Sequence, residues 1–127
     1  MLHPGTTVDA AQLEIPLAPV PAEQVVDGAP EAGWVDLVDG IGVWEHTAGV
    51  STDIEADEVF VVLSGSATVT FPDGSQPPLV LRPGTIGRLA AGTATVWAVH
   101  ETLRKVYVSG SECTSPVARI ADLIAGR

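Results

Sequence analysis

An all-β chain closed into a sandwich or barrel is the fold class the sequence predicts, on three observations. Thirteen glycines and ten prolines punctuate the chain, too many for a helical bundle and suited to a turn-rich β protein. From Trp34 onward, short β-type runs recur between turn signals, one about every 8 to 12 residues. Apolar residues make up 46% and charged ones 17% of 127 residues, which is enough to bury the core of one domain.

The elements follow in order. Residues 1–33 are rich in Pro, Ala and acids and read as an N-terminal arm. Its one alternating stretch is Leu13-Glu14-Ile15-Pro16-Leu17, which Pro16 limits to an edge strand or an extended arm. Such an apolar arm is tied down against the body or against a neighbouring subunit. The barrel is expected over 34–110. Its strands are Trp34 to Val38, Ile41 to Thr47 after the Asp39-Gly40 turn, Val50 to Ile54, and the strong run Glu58 to Leu63. Ser64-Gly65 is read as a turn into Ala67 to Phe71, and Pro72-Asp73-Gly74 as the next. Leu79 to Leu81, Thr85 to Leu89, Thr93 to Val99 and Thr102 to Ser109 complete about nine strands. Closure of such a set avoids exposed edges. In the tail, 111–127, Ser115 can cap a short helix with Pro116 at its first position, and Val117, Ile120, Leu123 and Ile124 share one face.

Charge narrows the partners. Sixteen acids against six bases leave a net charge of −10, which argues against nucleic acid and anionic membrane surfaces as partners. All six bases lie in residues 82–127, while residues 1–81 hold 13 of the acids and no Lys or Arg. A solvated acidic surface explains this, and so does a meeting of acidic and basic faces in an oligomer. The single Cys113 rules out an internal disulfide and suits a reducing compartment. No apolar run is long enough to span a bilayer, and the start lacks a basic then apolar leader. The expected location is the cytoplasm.

Two blocks are specific. The first is Gly42-Val43-Trp44-Glu45, followed by Asp57-Glu58-Val59-Phe60-Val61-Val62-Leu63-Ser64-Gly65. The second is Arg82-Pro83-Gly84, then Gly92-Thr93-Ala94-Thr95-Val96-Trp97, then Glu101-Thr102-Leu103-Arg104-Lys105-Val106-Tyr107-Val108. In order and spacing these resemble the two segments of a small cupin. The resemblance is to the subfamily holding the ureidoglycine aminohydrolase cupin domain and the EutQ-type ethanolamine-utilisation proteins. It implies a double-stranded β-helix, or jelly-roll barrel, and a homodimer, since small cupins often pair through their sheets or exchange an N-terminal strand.

The resemblance fails at the metal. Metal-binding cupins place His-x-His four or five residues before a Glu that precedes a Gly by seven, and a further His in the second segment. Glu58 and Gly65 keep their relation, but Ser51, Thr52, Asp53 and Ile54 precede Glu58, and Thr95 stands for the last His. A lone carboxylate does not hold a transition metal. No cofactor is therefore expected. A site rebuilt from His46 with Glu58 is the weaker alternative, and His100 weaker still: if Thr95 points inward, Trp97 and Val99 share its face and His100 points out. The acids Asp53, Glu55, Asp57 and Glu58 invite a calcium reading, but without EF-hand spacing a solvated hairpin loop explains them better.

The remaining candidates form a pocket. Trp34, Trp44, Trp97, Phe60, Phe71 and Tyr107 are all the aromatic residues of the chain. Either they fill the barrel core, or some of them line its mouth. In the second case Glu58, Phe60, Thr95, Trp97, Trp44, Lys105 and Tyr107 are the expected ligand contacts, an apolar concavity with few polar groups. Glu58 is the candidate general acid or base, unless Lys105 or Arg88 neutralises it. Alternation sends either Lys105 and Tyr107 or Val106 and Val108 inward, and leaves open which. The expected function is small-molecule binding without the usual cupin metal. The alternatives are an enzyme related to ureidoglycine or ethanolamine metabolism with a non-standard site, and a non-catalytic association module.

Overall fold

In chain order β1 is Ala18–Pro19, β2 Val25–Asp27, β3 Glu31–Val38, β4 Ile41–His46, β5 Gly49–Ile54, β6 Glu58–Thr70, β7 Leu79–Leu81, β8 Ile86–Leu89 and β9 Ala94–Ser109. These are the strands of a computed structural model that describes residues 2–110. Two long strands organise the rest. The first half of β6 pairs with β8 and with the second half of β9, while its second half pairs with β7 and the first half of β9. β9 in turn carries β4 on its second half and β5 on its first. A single antiparallel hydrogen-bonded sheet thus curls into two facing layers, the jelly-roll barrel that the resemblance implies. The core between the layers includes Phe60, Val62, Val69, Leu81, Trp97 and Leu103. These alternate with outward residues along β6 and β9, as period-two patterning requires.

Two expected breaks are absent. Ser64-Gly65 does not turn the chain back, because β6 runs through it, and β9 likewise runs through Glu101. Both long strands bend here from one layer to the other. Register shifts between Val62 and Ala67 absorb the bend. Gly65, at φ +83°, is required there, since a Cβ would lie 2.0 Å from the Thr102 carbonyl oxygen. Turn-forming residues mark the corner of a continuous strand as readily as they mark a hairpin.

The arm packs on its own body. Leu13, Ile15 and Leu17 are half-buried and not in a strand; the edge strand is β1, which pairs with β3. Pro16 crosses Gly33 so closely that a Cβ at Gly33 would lie 2.0 Å from the Pro16 carbonyl oxygen. Leu2 N–H donates to the Leu37 carbonyl, and Arg104 Nη1 to the Ala10 carbonyl. The chain then crosses to the far edge of the sheet, where β2 pairs with β5. A 3-10 turn, Ala22–Gln24, lies between β1 and β2. No helix among the described residues is long and apolar enough to cross a membrane. The expected C-terminal helix and Cys113 lie outside the described residues.

Candidate functional site

Alternation on four strands delivers the site. Trp44 and His46 on β4, Ser51 and Asp53 on β5, Glu58 on β6, and Trp97, Lys105 and Tyr107 on β9 all line one cavity of about 660 Å³. Ala18 to Pro21 and Gln24 line it from the arm, between the two sheet edges that β1 and β2 join. Lys105 and Tyr107, rather than Val106 and Val108, are therefore the inward pair. Trp34 also lines the cavity, but it is 62% exposed and takes no part in the core. It stands on β3 near a sheet edge, opposite Trp44 in register.

At the floor sits an ammonium group. Lys105 Nζ is 4.6 Å from the Trp97 ring centroid, 4.7 Å from Trp44 and 4.8 Å from Phe60. These are cation–π distances to three rings. Glu58 Oε2 accepts from the same Nζ at 3.0 Å, with side-chain exposures of 6% for the lysine and 14% for the glutamate. The partner that neutralises Glu58 is thus Lys105; Arg88 lies on β8 and is exposed. Burial pushes the Glu58 carboxyl above the ordinary range although the Lys105 charge opposes it.

Beside this pair lie two satisfied networks. His46 is buried, its Nδ1 2.6 Å from the Thr47 carbonyl and its Nε2 2.9 Å from Ser51 Oγ. A carbonyl only accepts, so Nδ1 carries the proton, and the neutral Nε2 accepts from the Ser51 hydroxyl. Burial holds the imidazole below its ordinary value. Glu55 is buried as well, its Oε2 accepting from Thr95 Oγ1 at 2.6 Å and Trp97 Nε1 at 2.9 Å. This corrects the solvated-hairpin reading for Glu55, whose carboxylate faces the cavity. The signal for it was present: Ser51, Asp53 and Glu55 alternate, and an inward tryptophan N–H needs an acceptor. Asp53 lines the cavity too, its carboxyl pushed up by burial and by the charge of Glu55. Asp57 instead accepts from the Ala91 N–H.

The other expected contacts are distributed around this floor. Thr95 and Phe60 are fully buried behind the cavity wall, the one holding Glu55 and the other the Lys105 ammonium. Tyr107 donates to Asp36, a further residue that sequence reasoning missed, and burial raises the phenol's pKa. His100 is outside the cavity and meets Thr68 Oγ1 at 3.1 Å.

Residues 36–107 match the family model of the EutQ-like cupin domain. The chain belongs to this family. Solved structures share its fold. A protein of unknown function from Pseudomonas syringae pv. tomato is 18% identical, at a TM-score of 0.66, with 78% of this chain and 45% of that one covered. This chain therefore spans under half of that protein. The EutQ protein of Clostridium difficile is 14% identical, with a TM-score of 0.56 and 72% and 74% coverage. A putative ethanolamine-utilisation protein Q from Salmonella typhimurium is 10% identical, with a TM-score of 0.53 and 77% and 96% coverage. No curated protein matches the chain.

In this EutQ-like cupin the residues that stand where the resemblance places metal ligands are Ser51, Asp53, Glu58 and Thr95, and three of them are engaged by other side chains. Ser51 is held by His46, Thr95 by Glu55, and the Glu58 carboxylate is already paired with the Lys105 ammonium. The His46 alternative meets the same obstacle, because both ring nitrogens are engaged.

The buried His46 predicts a pH dependence of stability. Below the ordinary histidine value of 6.5, the unfolded chain takes up a proton that the folded one resists, so stability falls on acidification. Asp53 and Glu58 act in the opposite sense. Their raised carboxyls bind protons first in the folded state, a contribution present at low pH and lost as pH rises through the raised values. Urea unfolding of wild type and His46→Gln at about pH 7.5 and about pH 5.5 separates these terms. The wild type loses more stability on acidification than the variant does; an identical loss in both removes His46 as its source.

Proposed function

We propose that this EutQ-like cupin is a small-molecule-binding protein whose site is built around the Lys105 ammonium instead of a metal ion. The observation that carries this reading is the Lys105 group itself, caged by Trp44, Phe60 and Trp97 at the floor of an open cavity of about 660 Å³. Cavities of that size with aromatic walls and few convergent polar groups are typical small-molecule sites. Cavity and cage also favour ligand binding over a purely associative barrel, which needs neither.

Two measurements test the reading. A ligand that binds only the folded state raises its melting temperature. Mn²⁺, Ni²⁺ and Zn²⁺ are expected to leave Tm unchanged. Fragments that quench the tryptophan fluorescence are expected to bind more weakly to Trp34→Ala, which deletes an exposed side chain at the cavity mouth and leaves Tm unaltered. A stoichiometric metal retained through purification without a His tag, and lost in Glu58→Gln, overturns the proposal.

A second reading is an enzyme with a non-standard site, related to ureidoglycine or ethanolamine metabolism. It rests on Glu58, whose carboxyl burial raises toward the range useful for general acid–base work. The homodimer and the cytoplasmic location are likewise proposals. The first rests on the family resemblance, and sedimentation velocity measures it directly; the second rests on the lone Cys113.

A further inference from the structure

The cavity is strongly unbalanced in charge. Its lining carries the carboxylates of Asp36, Asp53, Glu55 and Glu58 against one lysine, Lys105, while His46 is held neutral. Glu58 is matched with Lys105 and Asp36 accepts from the Tyr107 hydroxyl. Asp53 and Glu55 have no cationic partner within salt-bridge reach among the described residues. Glu55 is only 8% exposed, and while its Oε2 accepts from Thr95 and Trp97, its Oε1 accepts no hydrogen bond among the described residues. A buried carboxylate oxygen without a donor is costly, and a ligand donor relieves that cost. Asp53 Oδ1 accepts only from the adjacent Ile54 N–H, which leaves its second oxygen open to the cavity.

A metal ion does not answer this charge. Among the described residues no three His, Cys, Asp or Glu side chains are grouped to hold one. No three carboxylates of the described residues come together as a coordination shell, but Asp53 and Glu55 come from the same stretch of chain and line the same cavity, and the three N–H donors of one ammonium can be shared between two carboxylates. The walls suit the rest of such a molecule. Trp34 and Trp44 present ring surface to methylene groups, and ring faces attract an ammonium. An anion meets the reverse situation: its one attractive centre, Lys105, is already paired, and the net charge of −10 opposes its approach.

We propose that the cavity takes a small aliphatic amine, its ammonium held by Asp53 and Glu55 and its chain against Trp34 and Trp44. This rests on the reading of the cavity as the ligand site and names the class of ligand. The test is calorimetric titration of the full chain with n-butylamine, 1-butanol and butyrate, which share a carbon skeleton and differ in charge. Butylamine is expected to bind at least about tenfold more tightly than either of the others. Asp53→Asn keeps an acceptor for the Ile54 N–H and is expected to weaken butylamine about tenfold, with 1-butanol unaffected. Butanol or butyrate binding as tightly as the amine overturns the amine assignment and leaves the ligand site standing. Amine binding that is unchanged in both Asp53→Asn and Glu55→Gln places the cation elsewhere on the acidic surface and overturns the inference. No binding by any of the three also overturns it, while the fragment measurement with Trp34→Ala then decides separately whether the cavity is a ligand site.

Discussion

Glu58→Gln is expected to lower the free energy of unfolding by about 3 to 5 kcal/mol, because it strands a buried cation. The Lys105 ammonium lies against three aromatic rings, and its side chain is 6% exposed there. The substituted amide keeps the shape of the side chain but not its charge, and the three ring faces alone replace only part of the lost attraction. The partner substitution is expected to be milder. In Lys105→Met the remaining Glu58 takes up a proton more readily than an ordinary carboxyl, since burial already raises its pKa. A buried pair of this kind resists disruption without being a large net source of stability. The double variant Glu58→Gln with Lys105→Met should accordingly recover most of the loss. Urea unfolding of the three variants checks the series, and a Glu58→Gln protein as stable as wild type would show that the ammonium does not depend on this carboxylate.

Glu55→Ala is expected to cost about 2 to 5 kcal/mol, because it leaves two buried donors without an acceptor. Thr95 Oγ1 and Trp97 Nε1 both donate to Glu55 Oε2, and both residues are inside the barrel, at 1% and 4% exposure. The Thr95 hydroxyl is itself within 3.2 Å of the Trp97 N–H and can accept from it, which limits the loss. Glu55→Gln retains a carbonyl acceptor for both donors and should cost only about 1 kcal/mol. Thermal unfolding followed by near-UV circular dichroism, which reports the packing of the tryptophans, distinguishes the two variants. Equal losses would mean that the charge of Glu55, and not its role as acceptor, supports the fold.

On two strand segments the inward face was legible because alternation is local. Glu58, Phe60 and Val62 on one strand, and Thr95, Trp97 and Val99 on another, follow from counting by two once one member is placed. The corner at Gly65 was legible as a special backbone position but not as a bend within a strand. Whether a Ser-Gly pair reverses the chain or bends it depends on which partner lies alongside, and here the partner is β9, far away in sequence. Trp34 was misleading for a related reason. Its composition suits a core, yet it stands near a sheet edge, where its face of β3 opens on the cavity mouth. Glu55 was read with the acids of a solvent-type loop, because its alternation with Ser51 and Asp53 does not identify Thr95 and Trp97 on β9 as the donors that its oxygen serves.

By itself, the sequence determined the all-β class, the cupin resemblance, most strand positions, and that no histidine stands where the resemblance places metal ligands. These rest on punctuation, period-two patterning and residue identity, all of which are local properties of the chain. Tertiary structure alone decided that Lys105 enters the barrel, that Glu58 is its partner, and that Glu55 and Asp53 face the same cavity as the tryptophans. Such facts depend on register between strands distant in sequence, where a slip of one residue exchanges the inner face for the outer. Lys105 at the floor and Val106 at its back differ by that single step.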